Sequence, residues 1–477
     1  MSGLAGRSGR YLLLYAGALL LAVVVGAAVA YSEGYGGDKG PYLVLGAFLV
    51  IAAAVAIVLQ WRLGALLMCA ALPFEGAIDF GPITSGTKAL GFLTFSSLAL
   101  ALLTDEELFE RFKRLWQQPL APAVGAFVLW VAASILWASN KGDAVGETVS
   151  FLGMLGLMVV IGMLEKRYLV LAWAVLAFSA ALSVPGGYIL PVHEGSDMAA
   201  SGRFGGPGRA AGVGSNSYSL NLAIAFFVAY FGVLRRHTMT ALLLSPVFLY
   251  GIFATASRTG LIALVATPLL ALLVPRLAPR LGLRILPVYV LGAAAIVVIV
   301  LAIPSVGERA LERYTTLSQY QSEDTWNGRW ANWEGALKVI DSHRILGVGA
   351  GNYADATLDY SPTVQAHSAA RASEEQGLAG VAHNTLLGVA SQLGLVGLIL
   401  YLGILFFAFT TAWLNAQKSD LGTGIFLGLM VALIGGMALT MENQKIVFIL
   451  FGSVLALQLH NNSARRAPPP SEREGSR

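Results

Sequence analysis

Four arginines are candidate ligands for an anion, and three of them lie close to the ends of apolar runs, where a charged side chain is costly unless it has a partner. Arg203 and Arg209 lie in a glycine-rich segment, and Arg258 lies in the short connection ATASRTG between two apolar runs. The fourth, Arg329, lies in NGRWANWEGALKVI. A guanidinium group binds phosphate oxygens through paired hydrogen bonds. The set therefore indicates a lipid-linked phosphate or pyrophosphate ligand, and snorkelling or a salt bridge is the alternative for each arginine.

His383 opens the apolar run HNTLLGVASQLGLVGLILYL, which places it in the first turn of a predicted membrane helix. The positive end of the helix dipole disfavours a charged imidazole at this position. A neutral imidazole can take a proton from a sugar hydroxyl as a general base. His383 is therefore a candidate catalytic base, and an interfacial histidine at the helix end is the alternative.

Residues 329–340 are predicted to form a helix, because apolar side chains recur at intervals of three and four. These side chains are Trp330, Trp333, Leu337 and Ile340. Asn327 is the predicted N-cap. Such a helix at the membrane surface would hold Arg329 near lipid headgroups, or it would cover the helix bundle as a lid. The segment GVGAGN at 347–352 lacks the Lys-Ser/Thr of a phosphate loop, so a turn is predicted there.

The elements that position these residues follow from the composition, which is 56% hydrophobic and only 12% charged. Soluble domains carry about 25% charged residues. Apolar runs of ~17–25 residues recur along the chain, and these runs are continuous rather than alternating. We therefore predict an all-α polytopic membrane protein with about 14 (12–14) transmembrane helices. Spans are predicted at 11–31, 41–60, 62–74, 88–103, 120–138, 149–164, 168–184, 215–234, 240–255, 260–274, 284–303, 383–411, 421–440 and 445–460.

The charges of successive loops alternate, which predicts the orientation. One set of loops carries Arg7, Arg10, Arg62, Arg111, Lys113, Arg114, Lys166, Arg167, Arg235, Arg236, Arg276, Arg280, Arg284, Lys418, Arg465 and Arg466. The opposite short loops hold only Lys39, Lys88, Lys141, Arg258 and Lys445. The positive-inside rule places the first set in the cytoplasm. The candidate residues then share the outer face of the cytoplasmic (inner) membrane.

These predictions divide the chain into five parts. Residues 1–184 carry the N-terminal spans, and 185–303 carry further spans behind a glycine-rich outer loop. Residues 304–382 form a large, partly helical extracytoplasmic loop, and 383–460 carry the last spans. Residues 461–477 are predicted to be a disordered cytoplasmic tail. The apolar stretch after Arg10 is about 20 residues long, which favours an uncleaved first helix over a signal peptide.

Four segments together resemble the bacterial O-antigen ligase and O-antigen polymerase family of membrane glycosyltransferases. They are GRAAGVGSNSYSLNLA, with Arg209 and Asn216; ATASRTGLIALV, with Arg258; GRWANWEGALKVIDSHRILGVGAGNY, with Arg329; and AHNTLLGVASQLGLVGLIL, with His383 and Asn384. The segments occur in the order of the family, and the last two flank the large outer loop. The resemblance covers about residues 200–400. One departure concerns the Asn-Pro-Asn-like segment of the family, which reads Asn216-Ser217-Tyr218 here.

The resemblance implies a GT-C-like fold and a metal-independent, inverting transferase without a cofactor. Its donor would be a glycan on undecaprenyl pyrophosphate, and its acceptor would be a glycan or lipid A-core. Arg258 and Arg329 would bind the pyrophosphate, and His383 would deprotonate or orient the acceptor hydroxyl. The substrate-binding candidates are Arg209, Arg203, Asn216 and Asn384. The other expected partners are the lipid bilayer and a chain-length regulator protein, with no nucleic acid.

Polymerase, ligase and transporter remain alternatives at this point. Arg203, followed by ten residues and then Gly214, resembles a loop pattern of some polymerases, and the number of spans is high for a ligase. Both features favour a polymerase slightly over a ligase. A lipid-linked glycan transporter or flippase is the alternative of a different class. It predicts charged residues near the bilayer midplane and repeated broken spans, whereas the charges here lie at the ends of spans.

Overall fold

The computed structural model describes residues 54–77, 86–189, 204–207, 214–234, 237–274, 324–360 and 381–466, with a few isolated positions between 276 and 298. The span predicted at 11–31 lies outside the described residues, as do most of those at 41–60 and 284–303. Most of the glycine-rich loop and about half of the large loop also lie outside them.

The described residues are α-helical and contain no strand. The helices are α1 (Trp61–Ala71), α2 (Gly86–Thr104), α3 (Glu106–Trp116), α4 (Leu120–Ala133), α5 (Lys141–Gly162), α6 (Lys166–Ile189), α7 (Ser215–Val228), α8 (Thr238–Ala254), α9 (Arg258–Leu272), α10 (Asp324–Ser342), α11 (Tyr353–Tyr360), α12 (Thr385–Ala416), α13 (Asp420–Gly436) and α14 (Lys445–Arg466). Short 3₁₀ turns extend α1 and α4, and a π-helical turn, Ala229–Val233, extends α7.

Several of these helices are suited to a bilayer. Within the described ranges, α2, α5, α6, α7 with its π-helical turn, and α12 are long and apolar enough to span one. The pair α3 and α4, bent by 76°, raises the number to six, and α8, α9 and α13 are shorter apolar helices. A polytopic all-α membrane protein is therefore supported. The predicted number of 14 spans is not confirmed by the part of the chain that the structure describes.

Two element predictions need correction. Helix α3 was not predicted, because most of its residues are polar. Only a narrow apolar stripe that includes Leu108 and Leu115 is buried. The Asp105 side chain caps it by accepting a hydrogen bond from the Leu108 amide at 3.0 Å. The second correction concerns the predicted disordered tail from residue 461, because α14 continues to Arg466.

Residues of the two predicted loop sets meet at opposite ends of the bundle. At the end where α1 begins, Arg62 pairs with Glu165 at 2.6 Å, and Arg111 donates to the Leu164 carbonyl at 2.7 Å. We call this the basic end. Beyond the other end of α1, Glu75 pairs with Lys445 at the start of α14. We call this the site end, since the candidate residues described below lie there.

Helix α12 is broken at Gly394, and the segment 344–351 fills the break. Gly394 has a φ of 65°, which interrupts the helical backbone. The Val348 amide donates to the Ser391 carbonyl at 3.1 Å, and the Leu395 amide donates to the Arg344 carbonyl at 2.8 Å. A Cβ on Gly394 would collide with the Ile345 carbonyl. A glycine is therefore required at the crossing.

The predicted turn at 347–352 is the central part of this segment. Gly347, Gly349 and Gly351 all have positive φ, and they pack against Gln392, Ala138 and Asp143 respectively. The Gly351 amide also donates to the Gln392 side chain at 2.7 Å. The turn therefore holds the segment 344–351 against α4, α5 and α12 at the site end.

Candidate functional site

Arg258 is the first residue of α9 and is half-buried. Ser257 caps the helix, since its hydroxyl accepts from the Gly260 amide at 3.1 Å. Ala256, just before the cap, has a φ of 48°, a conformation that is uncommon for a residue with a side chain. Such backbone strain is often found at functional sites. The local structure therefore holds Arg258 at a fixed point of the site end.

Asn216 lies in the first turn of α7, beside the start of α9. The contact between the two helices is close, because a Cβ on Gly260 would overlap the Ser219 hydroxyl. Ser219 lies one turn after Asn216 on α7 and is fully buried. Asn216 and Arg258 therefore lie in the first turns of two adjacent helices.

His383 directly precedes the N-cap of α12. Its φ is 49°, and it shares this uncommon conformation with only Ala256 among the non-glycine residues that the structure describes. Asn384 is the N-cap, and its side-chain oxygen accepts from the amides of Leu386 and Leu387 at 3.0 and 3.1 Å. Its amide nitrogen donates to the Met437 carbonyl at 3.1 Å. Asn384 therefore has a structural role as the cap of α12, and its substrate-binding role stays a prediction.

The C-terminal end of α13 connects these two groups of residues. Gly435 packs against Leu220 of α7, and Gly436 packs against Thr385 of α12, with its Cβ position 3.1 Å from the hydroxyl. One helix end therefore separates the start of α7 from the start of α12, a separation of about 10 Å. The structure brings Asn216, Arg258 and His383 to the same end of the bundle.

Arg329 lies on α10, which packs against the start of α12. Ala336 of α10 contacts Tyr353 and Ala382, the residue before His383. The Tyr353 hydroxyl donates to the Asn332 carbonyl at 2.7 Å and ties α11 to α10. Arg329 is half-buried and precedes Ala336 by two turns, on the same face of the helix. The face that carries Arg329 is therefore directed towards the His383 region.

Arg203 and Arg209 lie outside the described residues. Phe204, which follows Arg203, is buried between Tyr188 and Tyr218, with ring centroids 4.8 and 5.7 Å away. Tyr218 belongs to the first turn of α7 and shares a hydrogen bond of 2.6 Å with Ser183. The glycine-rich loop is therefore attached beside Asn216 at residue 204.

The electrostatics of the site end favour anions. Helices α7, α9 and α12 all begin there, and a helix N-terminus carries a partial positive charge and unpaired amides. Arg258 adds a full positive charge to this region. Helix N-termini of this kind bind phosphate groups.

A buried carboxyl group at the site end was missed by the sequence analysis. Glu442 lies in the connection 437–444 between α13 and α14 and is only 5% exposed. Burial raises the pKa of Glu442 to about 8, and the negative charge of Glu147 acts in the same direction. The sequence MENQK resembles an ordinary polar turn, so no local signal distinguishes this glutamate. Within the described ranges, no group of three or more His, Cys, Asp or Glu residues is arranged to hold a metal ion.

Comparison with known families supports the resemblance noted in the sequence. The family model for O-antigen ligase matches residues 239–402. This range includes Arg258, Arg329, His383 and Asn384, whereas Arg203, Arg209 and Asn216 lie outside it. No curated protein matched the chain. The predicted family resemblance is confirmed, and it indicates a membrane enzyme of the O-antigen ligase or polymerase type.

Proposed function

We propose that the protein transfers glycan repeats from undecaprenyl pyrophosphate on the outer face of the cytoplasmic membrane. The observation that carries this proposal is the convergence at one end of the bundle of Arg258, His383 and the N-termini of α7, α9 and α12. This arrangement suits a membrane-anchored pyrophosphate, because the anion would meet helix N-termini and a guanidinium group at the end of the membrane spans.

The proposed reaction is an inverting displacement. The acceptor hydroxyl oxygen attacks the anomeric carbon of the donor sugar while the bond from that carbon to the pyrophosphate oxygen breaks. His383 takes the hydroxyl proton, and undecaprenyl pyrophosphate leaves with the bonding electron pair. Arg258 and Arg329 stabilise the charge that develops on the leaving group. Arg203, Arg209, Asn216 and Asn384 are proposed to bind the donor or its glycan.

Alanine substitutions at Arg258, Arg329 and His383 test these roles. Each should lower glycan transfer by about 100-fold or more, since each removes a group that acts in the transition state. The purified variants should retain the elution profile and thermal stability of the wild type. Lys338→Ala is a matched control on α10, because Lys338 pairs with Glu334 on the exposed surface. Full transfer activity in all three variants would refute the assignment.

We propose polymerisation of lipid-linked repeats as the reaction, with ligation to lipid A-core as the second candidate. The glycine-rich loop with Arg203 favours the polymerase, whereas the description of the matching family favours the ligase. Both reactions use the same donor, so the acceptor distinguishes them.

Reconstitution with defined acceptors separates the two reactions. The purified protein is placed in liposomes with an undecaprenyl-pyrophosphate-linked repeat and no other acceptor. A ladder of longer lipid-linked glycans is expected for a polymerase. Product that forms only after addition of lipid A-core would establish a ligase. Movement of the lipid-linked repeat across the bilayer without any new glycosidic bond would indicate a flippase instead.

A further inference from the structure

The buried carboxyl group of Glu442 has a setting that a polar turn does not require. Glu442 is in the connection 437–444, which is held against the first turn of α12. Thr385 donates to the Leu439 carbonyl at 3.0 Å and accepts from the Met441 amide at 2.8 Å. Asn384 holds the start of the same connection through the Met437 carbonyl. The position of Glu442 is therefore fixed relative to the helix that begins beside His383.

The carboxyl group lies close to the backbone that carries His383. A Cβ atom added to Gly388 would lie 3.0 Å from the Oε1 atom of Glu442 and 3.7 Å from the Cβ atom of Ala382. The carboxyl oxygen and Ala382 are therefore within about 7 Å of each other. Ala382 directly precedes His383, so the carboxyl group and the imidazole are attached to neighbouring parts of one helix start.

Among the described residues, no cation is paired with this carboxyl group. Its Oε2 atom is buried and accepts no hydrogen bond from the described residues. The nearby Lys445 is paired with Glu75 and contacts Thr87 at 3.3 Å. On α5, Glu147 bonds Asn443 and faces Glu442 with a like charge, and on α12 the uncharged Tyr401 lies close enough to interact. Among the described residues, His383 is a further titratable group at the start of α12.

We propose that Glu442 is a positioning residue that supplies the counter-charge for His383 during glycan transfer. When His383 takes the acceptor proton, an imidazolium forms beside a helix N-terminus, which repels it. The carboxyl group lies within about 7 Å of Ala382, the residue before His383, so an ionised carboxylate there offsets this repulsion, and burial keeps the interaction from being screened. The proton of Glu442 is released to water as the imidazolium forms, and it returns when the imidazole is neutral again. This role rests on the proposed function of His383.

The test compares Glu442→Gln with the wild type over a range of pH in the reconstituted transfer assay. The wild-type kcat should rise with pH through the range near 8 in which the carboxyl group ionises. In Glu442→Gln, kcat should fall by about tenfold or more with little change in KM, and this rise with pH should disappear. Glu442→Asp, which keeps a carboxyl group, should restore part of the wild-type kcat and part of its rise with pH. A role in packing alone would lower stability without removing the rise.

Two further variants complete the test. Gly388→Ala pushes a methyl group against the carboxyl oxygen and should alter the pH dependence while the carboxyl group is retained, which covers the case that Glu442→Gln does not fold. Glu75→Gln removes a carboxylate from the same end of the bundle and should leave the shape of the profile unchanged.

The outcomes distinguish this inference from the proposed function. If His383→Ala is inactive while Glu442→Gln keeps the wild-type kcat and pH profile, the counter-charge role is wrong and the transferase assignment stands. If His383→Ala is fully active, the proposed role of His383 fails, and the role of Glu442 fails with it.

Discussion

At the scale of single residues, the site end combines backbone strain with precise capping. Ala256 and His383 both adopt positive φ directly before a capped helix. Their caps, Ser257 and Asn384, are well satisfied by hydrogen bonds. The sequence predicts the positions of Arg258 and His383 at helix starts, but the backbone conformation before each cap depends on contacts with other helices. For α12, those contacts are made by the connection 437–444.

Glu442 should make the stability of the protein depend on pH. Its pKa is about 8 in the folded protein and near 4.5 for a solvated glutamate, so between these values the folded state binds a proton that the unfolded state releases. Stability should therefore fall as the pH rises from 5 to 8, by at most about 1.4 kcal/mol per pH unit. Thermal unfolding in detergent measures this for the wild type and for Glu442→Gln.

The variant serves as the reference, because a glutamine does not titrate. Groups that do not interact with Glu442 contribute equally to both proteins, so the difference in stability should change with pH and become level above pH 8. A difference that stays constant from pH 5 to pH 8 would show that Glu442 has an ordinary pKa in the folded protein.

At the scale of elements, helix α10 has one buried and one exposed face. Ala331, Ala336 and Val339 are buried, whereas Trp330 and Leu337 are 58% and 57% exposed. The exposed pair is separated by two turns and forms an apolar stripe. Ile345 is exposed in the segment that fills the break of α12, next to the exposed Leu395. The predicted membrane-surface position of this helix has a physical basis in this continuous apolar surface.

We expect Trp330 to contact the outer lipid leaflet. In liposomes that contain brominated lipids, replacement of Trp330 by Phe should remove part of the quenchable tryptophan fluorescence, because bromine quenches only at close range. Trp173 is the control, since it is fully buried and its indole donates to Ser453 at 2.9 Å. Trp173→Phe should leave the quenched part unchanged. Equal quenching before and after the Trp330 substitution would place α10 away from the lipid.

Which elements could be predicted depended on how local their signals are. The start of α7 at Ser215 and of α14 at Lys445 agree with the predicted spans at 215–234 and 445–460, since an apolar run and its flanking polar residues mark both. The break at Gly394 lies within a continuous apolar run, so its sequence gives no boundary. Its cause is the segment 344–351, about 50 residues earlier in the chain.

At the scale of the whole molecule, the charged groups have different roles at the two ends of the bundle. At the basic end, Arg62 and Arg111 are held by Glu165 and a carbonyl, which fixes the connection between α5 and α6. At the site end, three helix N-termini and the candidate residues meet. The alternation of charge along the sequence predicts this separation, while the burial of Glu442 follows only from the packing of α12, α13 and α14.

Labelling of introduced cysteines tests the orientation of the two ends. The native Cys69 is buried and should not react with a membrane-impermeant maleimide. In intact spheroplasts, Lys141→Cys should be labelled, because Lys141 is an exposed polar residue in the first turn of α5 at the site end. Lys113→Cys on α3 should react only after the membrane is opened. Labelling of Lys113→Cys in intact spheroplasts would reverse the proposed orientation.

The break in α12 also has a consequence for synthesis of the protein at the membrane. Lipid offers no hydrogen-bond partners, so a helix interrupted at Gly394 would leave backbone groups unsatisfied if it entered the bilayer alone. Residues 344–351 precede α12 in the chain and are therefore made first. They are therefore available to donate hydrogen bonds to the Ser391 and Gln392 carbonyls when the new helix forms. Because the segment 344–351 is synthesised before α12, its hydrogen-bonding groups are present when the broken helix is inserted.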